Sequence, residues 1–162
     1  WPRTRSGNTD PIVLEGEQKV DGIEVGASGM ITDAWSVFAG VVYLDSETEN
    51  SLNALEVGEE LLLTADFSAS LWTTYALPFG LTLGIGAQYN DDIVRSRTAT
   101  AENVVPSRVL VDAMASYTLT EKISLRLNAT NLADKEYVDR FGGGHYVPGA
   151  GRTASLTAIF DF

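Results

Sequence analysis

The groups in this sequence that could do chemistry are few and scattered. Its single histidine, His145, lies in the stretch FGGGHYVPG, and there is no cysteine. A lone imidazole without thiolates or a second His cannot complete a zinc site, which draws three or four ligands from the protein. The glycine run beside it has no strand–glycine–helix setting, so it is not a phosphate cradle. No nucleophile, base and orienting acid fall together. Catalytic residues, metal ligands and cofactors are therefore expected to be absent, and what remains is recognition. Arg95, Arg97, Arg140, His145 and Tyr146 are the side chains suited to an anionic, aromatic ligand, through ion pairing and cation–π contact. Against them, Asp45, Glu47, Glu49, Glu56, Glu59 and Glu60 crowd residues 45–60 with no basic residue between them, a patch that repels anions.

Residues so widely spread need a scaffold, and the scaffold shows in the alternation. In LTLGIGAQY, Leu81, Leu83, Ile85, Ala87 and Tyr89 alternate with small or polar residues, which is the period of a strand and not of a helix. The same rule holds in GIEVGASGM, WSVFAGVVY, SASLWTTYAL, RVLVDAMASY, ISLRLNATN and the terminal GRTASLTAIFDF. That makes about seven strands of roughly ten residues or a little more, the length of a tilted membrane-crossing strand and long for a soluble one. No run approaches the ~18 apolar residues of a transmembrane helix, whereas a barrel's apolar residues are diluted by alternation. The connections also sort themselves. ITDA, LPFG and LTEK are tight turns, while long polar loops are expected near residues 46–60, 92–106 and 134–150.

Aromatic residues mark two heights on the apolar parity. Trp35, Tyr75, Tyr117 and Phe162 lie next to the short turns, and Tyr43 and Tyr89 sit eight residues farther along. That separation is about 26 Å along a strand, or about 20 Å of height at a tilt near 40°. Two aromatic girdles around an aliphatic band fit the two interfaces of a bilayer. The fold expected is all-β: an antiparallel up-and-down transmembrane β-barrel segment. The opposite face is imperfectly polar, since Phe38, Val42, Leu44, Leu110, Met114 and Ile159 share its parity. Arg108, Asp112 and Arg126 are expected on that face too, in salt bridges. With 11 Lys+Arg against 22 Asp+Glu, net charge −11, nucleic acid is a poor partner.

The motifs then carry a family resemblance. NATNLADKEY, with Asn128, Asn131, Leu132, Asp134 and Tyr137, followed by Gly151, Arg152 and a final Phe162, resembles the last strands of TonB-dependent outer-membrane receptors. VDGIEVGASGMITDAWSVFAGVVYLDSE resembles the family's preceding hairpin, and HYVPGAGRTASLTAIF is most similar to the ferric-siderophore receptors of the catecholate type. Two departures stand out: TADF (64–67) lacks the family's usual Pro and polar fourth residue, and Arg108 replaces an aromatic.

The resemblance implies a plugged barrel of about 22 strands in the bacterial outer membrane. It implies energy-coupled uptake of a ferric siderophore and no enzymatic activity. Residues 1–162 would be the C-terminal part of the barrel, with 1–18 an extracellular loop or strand start. The plug and the TonB-contacting segment would lie in a missing N-terminal part. Leu156, Ala158, Phe160 and Phe162 resemble the signal read by the outer-membrane insertion machinery. Lipid and lipopolysaccharide would be further partners, the latter through cations on the acidic patch. The rival expectations are a small self-standing outer-membrane barrel with a structural or adhesive role, its eighth strand in residues 12–18; a soluble β-sandwich binding module; and a receptor for a hydroxamate siderophore, haem or cobalamin.

Overall fold

A computed structural model describes residues 16–142 and 145–161. Its strands in chain order are β1 (Gly16–Thr32), β2 (Trp35–Ser51), β3 (Phe67–Ala76), β4 (Leu81–Asn90), β5 (Ile93–Arg97), β6 (Glu102–Val105), β7 (Arg108–Thr120), β8 (Ile123–Thr130), β9 (Val138–Gly142), β10 (His145–Pro148) and β11 (Thr153–Phe160). Seven of them make one antiparallel sheet in the order β1-β2-β3-β4-β7-β8-β11, while β5–β6 and β9–β10 are separate two-stranded ribbons.

The tight turns form where the sequence placed them, each with its own local device. Thr32 Oγ1 accepts the N–H groups of Ala34 and Trp35 at 3.3 and 3.1 Å. Gly80 supplies a positive φ of 82° and closes on the Leu77 carbonyl at 3.2 Å. Thr120 Oγ1 accepts from the Lys122 amide at 3.2 Å.

Register keeps one face apolar across the whole sheet. Gly29, Val37, Thr73, Ile85, Ala113, Ala129 and Ala154 are successive cross-strand partners, one from each of the seven strands, all on the parity expected to be apolar. A second row runs Trp35, Tyr75, Leu83, Ala115, Leu127, Leu156. A one-residue slip anywhere would break both rows. Thr73, the polar member of the first row, is satisfied locally: it receives the Trp35 indole N–H at 2.7 Å and donates to the Ser36 carbonyl at 3.0 Å.

A soluble sandwich would bury such rows between two layers. Here no apolar residue among the described ones is buried; Ile23 is 68% exposed and Leu156 70%. That arrangement excludes the sandwich.

The structure corrects the sequence expectation in several places. β1 and β2 run for 17 residues each, so residues 46–51 are strand and not loop. The stretches near 92–106 and 134–150 carry the β5–β6 and β9–β10 ribbons. Gly16–Gln18 begin β1 and are not part of a separate eighth strand. Trp35, Tyr43, Tyr75 and Tyr117 are all exposed. Phe67, where the family's motif has a polar residue, pairs with Tyr43 and meets the Tyr89 ring at 5.7 Å between centroids. Phe162 lies outside the described residues.

The opposite face is built around Trp72, paired with Gly86. Its indole covers Gly84 and Gly86, the two buried positions of β4, so closely that a Cβ at either would meet the ring. Gly86→Ala is expected to lower unfolding stability in urea by roughly 1–3 kcal/mol. Trp72→Ala in the same chain should recover only part of the loss, because the Leu71 carbonyl also stands 2.8 Å from the added methyl.

Candidate functional site

Everything suited to recognition lies at the end of the sheet where the long connections emerge. Four structures are built there: a patch of acidic residues, two ribbons and a clasp that ties the last loop together.

The acidic patch is not as uncompensated as its sequence. β2 and the loop after it are joined by backbone hydrogen bonds from Thr48 N–H to Glu59 and from Gly58 N–H to Thr48, at 3.0 and 2.9 Å. Ser46 and Thr48 are buried beneath. Arg97 enters this group from the end of β5. Its side chain is only 9% exposed, with Nε 2.5 Å from Glu102, Nη2 3.5 Å from Glu59 and Nη1 donating to the Glu60 carbonyl at 3.4 Å. Repulsion from Asp66, then burial, then a hydrogen bond with Asp66 push the Glu60 carboxyl above its ordinary range. Arg97 therefore serves as the counter-ion of its own protein's carboxylates. Arg95 sits where the register of the β5–β6 ribbon slips, between Val94 and Ser96.

On the other ribbon, Arg140 pairs with Val147 and His145 with Gly142, which puts Arg140 and His145 on one face. Tyr146, 63% exposed, lies on the other. The five candidate residues thus divide between two ribbons.

The clasp is what the NATNLADKEY motif builds. Asn131 and Asp134 both have positive φ, 51° and 52°, a conformation that Asn and Asp tolerate better than other residues. Asn131 is buried; its Nδ2 donates to the carbonyls of Lys135 and Ala150 at 2.9 and 3.0 Å, and its Oδ1 accepts the Lys135 N–H at 2.8 Å. Asp112 accepts the Asn131 N–H at 2.8 Å. Asp134 accepts the Arg152 N–H at 2.8 Å, with the two side chains 3.8 Å apart. Gly149 donates to the Tyr137 carbonyl at 2.8 Å and lies so close under its ring that no Cβ would fit. These residues close the base of a loop, holding the β9–β10 ribbon above it.

The expected salt bridges of Arg108, Asp112 and Arg126 are not present among the described residues. Asp112 is committed to the clasp. Arg108, half-buried, instead lies 4.9 Å from the Tyr137 ring centroid and donates to the Val138 carbonyl.

This architecture, seven strands with one greasy face and elaborated loops at one end, has close counterparts. Residues 3–132 match the TonB dependent receptor-like, beta-barrel family. The chain belongs to that family. The probable TonB-dependent siderophore receptor PiuA of Acinetobacter baumannii is 38% identical over 99% of this chain. The catecholate siderophore receptor Fiu of Escherichia coli is 28% identical over 91% of it, and the ferrioxamine B receptor of Salmonella typhimurium 32% over 83%.

The solved structure of PiuA superposes with a TM-score of 0.78 at 37% identity over 89% of this chain and 22% of PiuA; closed Fiu gives 0.80 at 27% over 91% and 21%. The chain spans 24% of the PiuA sequence and 20% of each of the other two. The family is one of outer-membrane receptors, so the sheet is a stretch of barrel wall with its apolar rows toward lipid.

Two outcomes follow from the geometry. Asn131→Ala removes three hydrogen bonds and a residue that accepts positive φ. It should cost about 2–4 kcal/mol and open residues 135–150 to amide exchange while the seven-stranded wall stays protected. For Glu60, a folded-state pKa above the ordinary value means its ionised form opposes folding; the penalty is absent at acid pH and appears as pH rises through that raised value. Glu60→Gln should therefore stabilise the 52–66 loop at pH 7, measured by amide exchange, with the gain vanishing below the ordinary glutamate range.

Proposed function

We propose that residues 1–162 form the C-terminal part of the barrel of a receptor that imports a ferric siderophore of the catecholate type, driven by the TonB complex. The observation that carries this is the row of small and apolar residues through all seven strands, broken only by the locally satisfied Thr73 and left unburied, an arrangement suited to a hydrocarbon surround. The likeness to PiuA, a probable siderophore receptor, and to Fiu, a catecholate siderophore receptor, supports the ligand class. A plug and the TonB-contacting segment belong to the rest of such a receptor. In this role the chain binds and translocates; it makes and breaks no covalent bond.

Trp35, Tyr43, Tyr75, Tyr89 and Tyr117 form the girdles at the two interfaces, with Phe67 joining Tyr43 and Tyr89 in the outer one. Leu156, Ala158, Phe160 and Phe162 present the assembly signal to the insertion machinery. Arg140 and His145 on one face of the β9–β10 ribbon, and Tyr146 on the other, are the ligand contacts best supported by exposure. Arg95 and Arg97 rank behind them, Arg97 because Glu59 and Glu102 already hold it. A second reading, a ferrioxamine-type ligand, is favoured by the 32% identity to the ferrioxamine B receptor.

Radiolabelled iron uptake separates the two. In cells lacking other siderophore receptors, the full-length receptor should import iron from a ferric catecholate and not from ferrioxamine B. Uptake should disappear without TonB. Import of ferrioxamine alone would replace the catecholate reading with the second one.

A further inference from the structure

Among the described residues the half-buried guanidinium of Arg108 has no ion-pair partner. Its Nε is buried without a hydrogen-bond partner. Asp112 receives the Asn131 amide and Asp134 the Arg152 amide, while Glu136, which lines the same cleft as Arg108, forms no ion pair with it. Its direct contacts among the described residues are the Val138 carbonyl and the face of Tyr137, 4.9 Å from the guanidinium carbon. Removing a charge from water without an opposite charge is costly, and a cation–π contact recovers a small part of that cost.

The same guanidinium lines a cleft of about 560 Å³ between the start of β7 and the clasp, with Pro106, Ser107, Pro148 and Gly149, and with Lys135 set against Asp134 and Glu136 on its clasp side. That is the size of a site for a small organic group. Its walls are fixed, since Tyr137 is locked against Gly149 and the clasp holds the loop base.

We propose that this cleft is an oxyanion-binding site, in which Arg108 donates to a carboxylate or phenolate oxygen while the attached carbon body rests on Pro106 and Pro148. A guanidinium supplies several donors in one plane, which suits a two-oxygen anion better than an ammonium does. Ser107 lines the cleft beside it. The oxyanion has two possible sources: a ligand arriving from outside, or a carboxylate elsewhere in the same full-length polypeptide. The site does not depend on which siderophore, if any, the receptor carries.

The test uses the full-length receptor in detergent with 4-bromobenzoate as probe, by saturation-transfer NMR titration and by crystals soaked in the probe. For an external anion, bromine anomalous density appears beside Arg108. Arg108→Gln then weakens binding roughly tenfold or more, and Arg108→Lys, which keeps the charge, restores most of it. For an internal one, the probe stays out of the cleft and the same crystals show a carboxylate of the polypeptide on the guanidinium. A wild-type structure with neither probe nor carboxylate within about 4 Å of Arg108 overturns the proposal. So does a probe that binds Arg108→Gln as tightly as wild type. The wild-type crystals decide alone if Arg108→Gln does not assemble.

Discussion

The whole structure depends on the hydrogen-bond ladder between neighbouring strands. In hydrocarbon no water is available to an orphan N–H or C=O, so each strand must be satisfied by the strands beside it. That requirement explains why the sheet is ordered β1-β2-β3-β4-β7-β8-β11, with each wall strand laid against its predecessor. It also explains why a molecule with no buried apolar residue among those described can have a definite fold. The core of a soluble protein is replaced by the ladder itself, with lipid supplying the apolar environment from outside. At the flanks, β1 and β11 each have one ladder partner among the described residues. In a barrel wall those free edges must be taken up by further strands.

Given that ladder, register does the remaining work. Side chains alternate with period two, so a correct pairing of one residue fixes the face of every other. This is why the wall was legible in the chain. Alternation in LTLGIGAQY identified one strand, and Thr, Gly and Pro at the turns identified its limits. What alternation does not encode is structure above the membrane. There water can satisfy backbone groups, polar residues occupy both faces, and the period is lost. The ribbons β5–β6 and β9–β10 and the continuation of β2 to Ser51 were hidden for that reason.

The recognition residues were hidden by a different effect. Arg97 looks, in sequence, like a free cation far from the acidic run. The end of β5 packs on the loop after β2, bringing Arg97 to the Glu60 carbonyl, 37 residues away in the chain, and to the Glu59 carboxylate beside it, a contact that neither segment announces. Asn131 and Asp134 carried a visible sign, since paired Asx residues three apart favour left-handed turns. Their role as a loop clasp could have been argued from that chemistry without the family comparison. Arg108 was noticed as a departure from pattern and as a salt-bridge candidate, and the structure shows no such bridge among the described residues. The departure itself was the signal, because a cation in place of an aromatic changes what the position can bind.

The polar face raises the last question of balance. A water-facing surface gains nothing by exposing Trp72, yet the sequence places it there opposite Gly86, with Gly84 in the same strand. Glycine in a strand leaves the backbone ladder uncovered, and water in a lumen competes for those hydrogen bonds. The indole laid over both glycines excludes that water and replaces the missing side-chain packing. The apolar residues of this face are thus not all errors of patterning or docking points. Trp72 protects the same ladder that lipid protects from the other side, so both faces of the wall, one greasy and one wet, serve a single constraint.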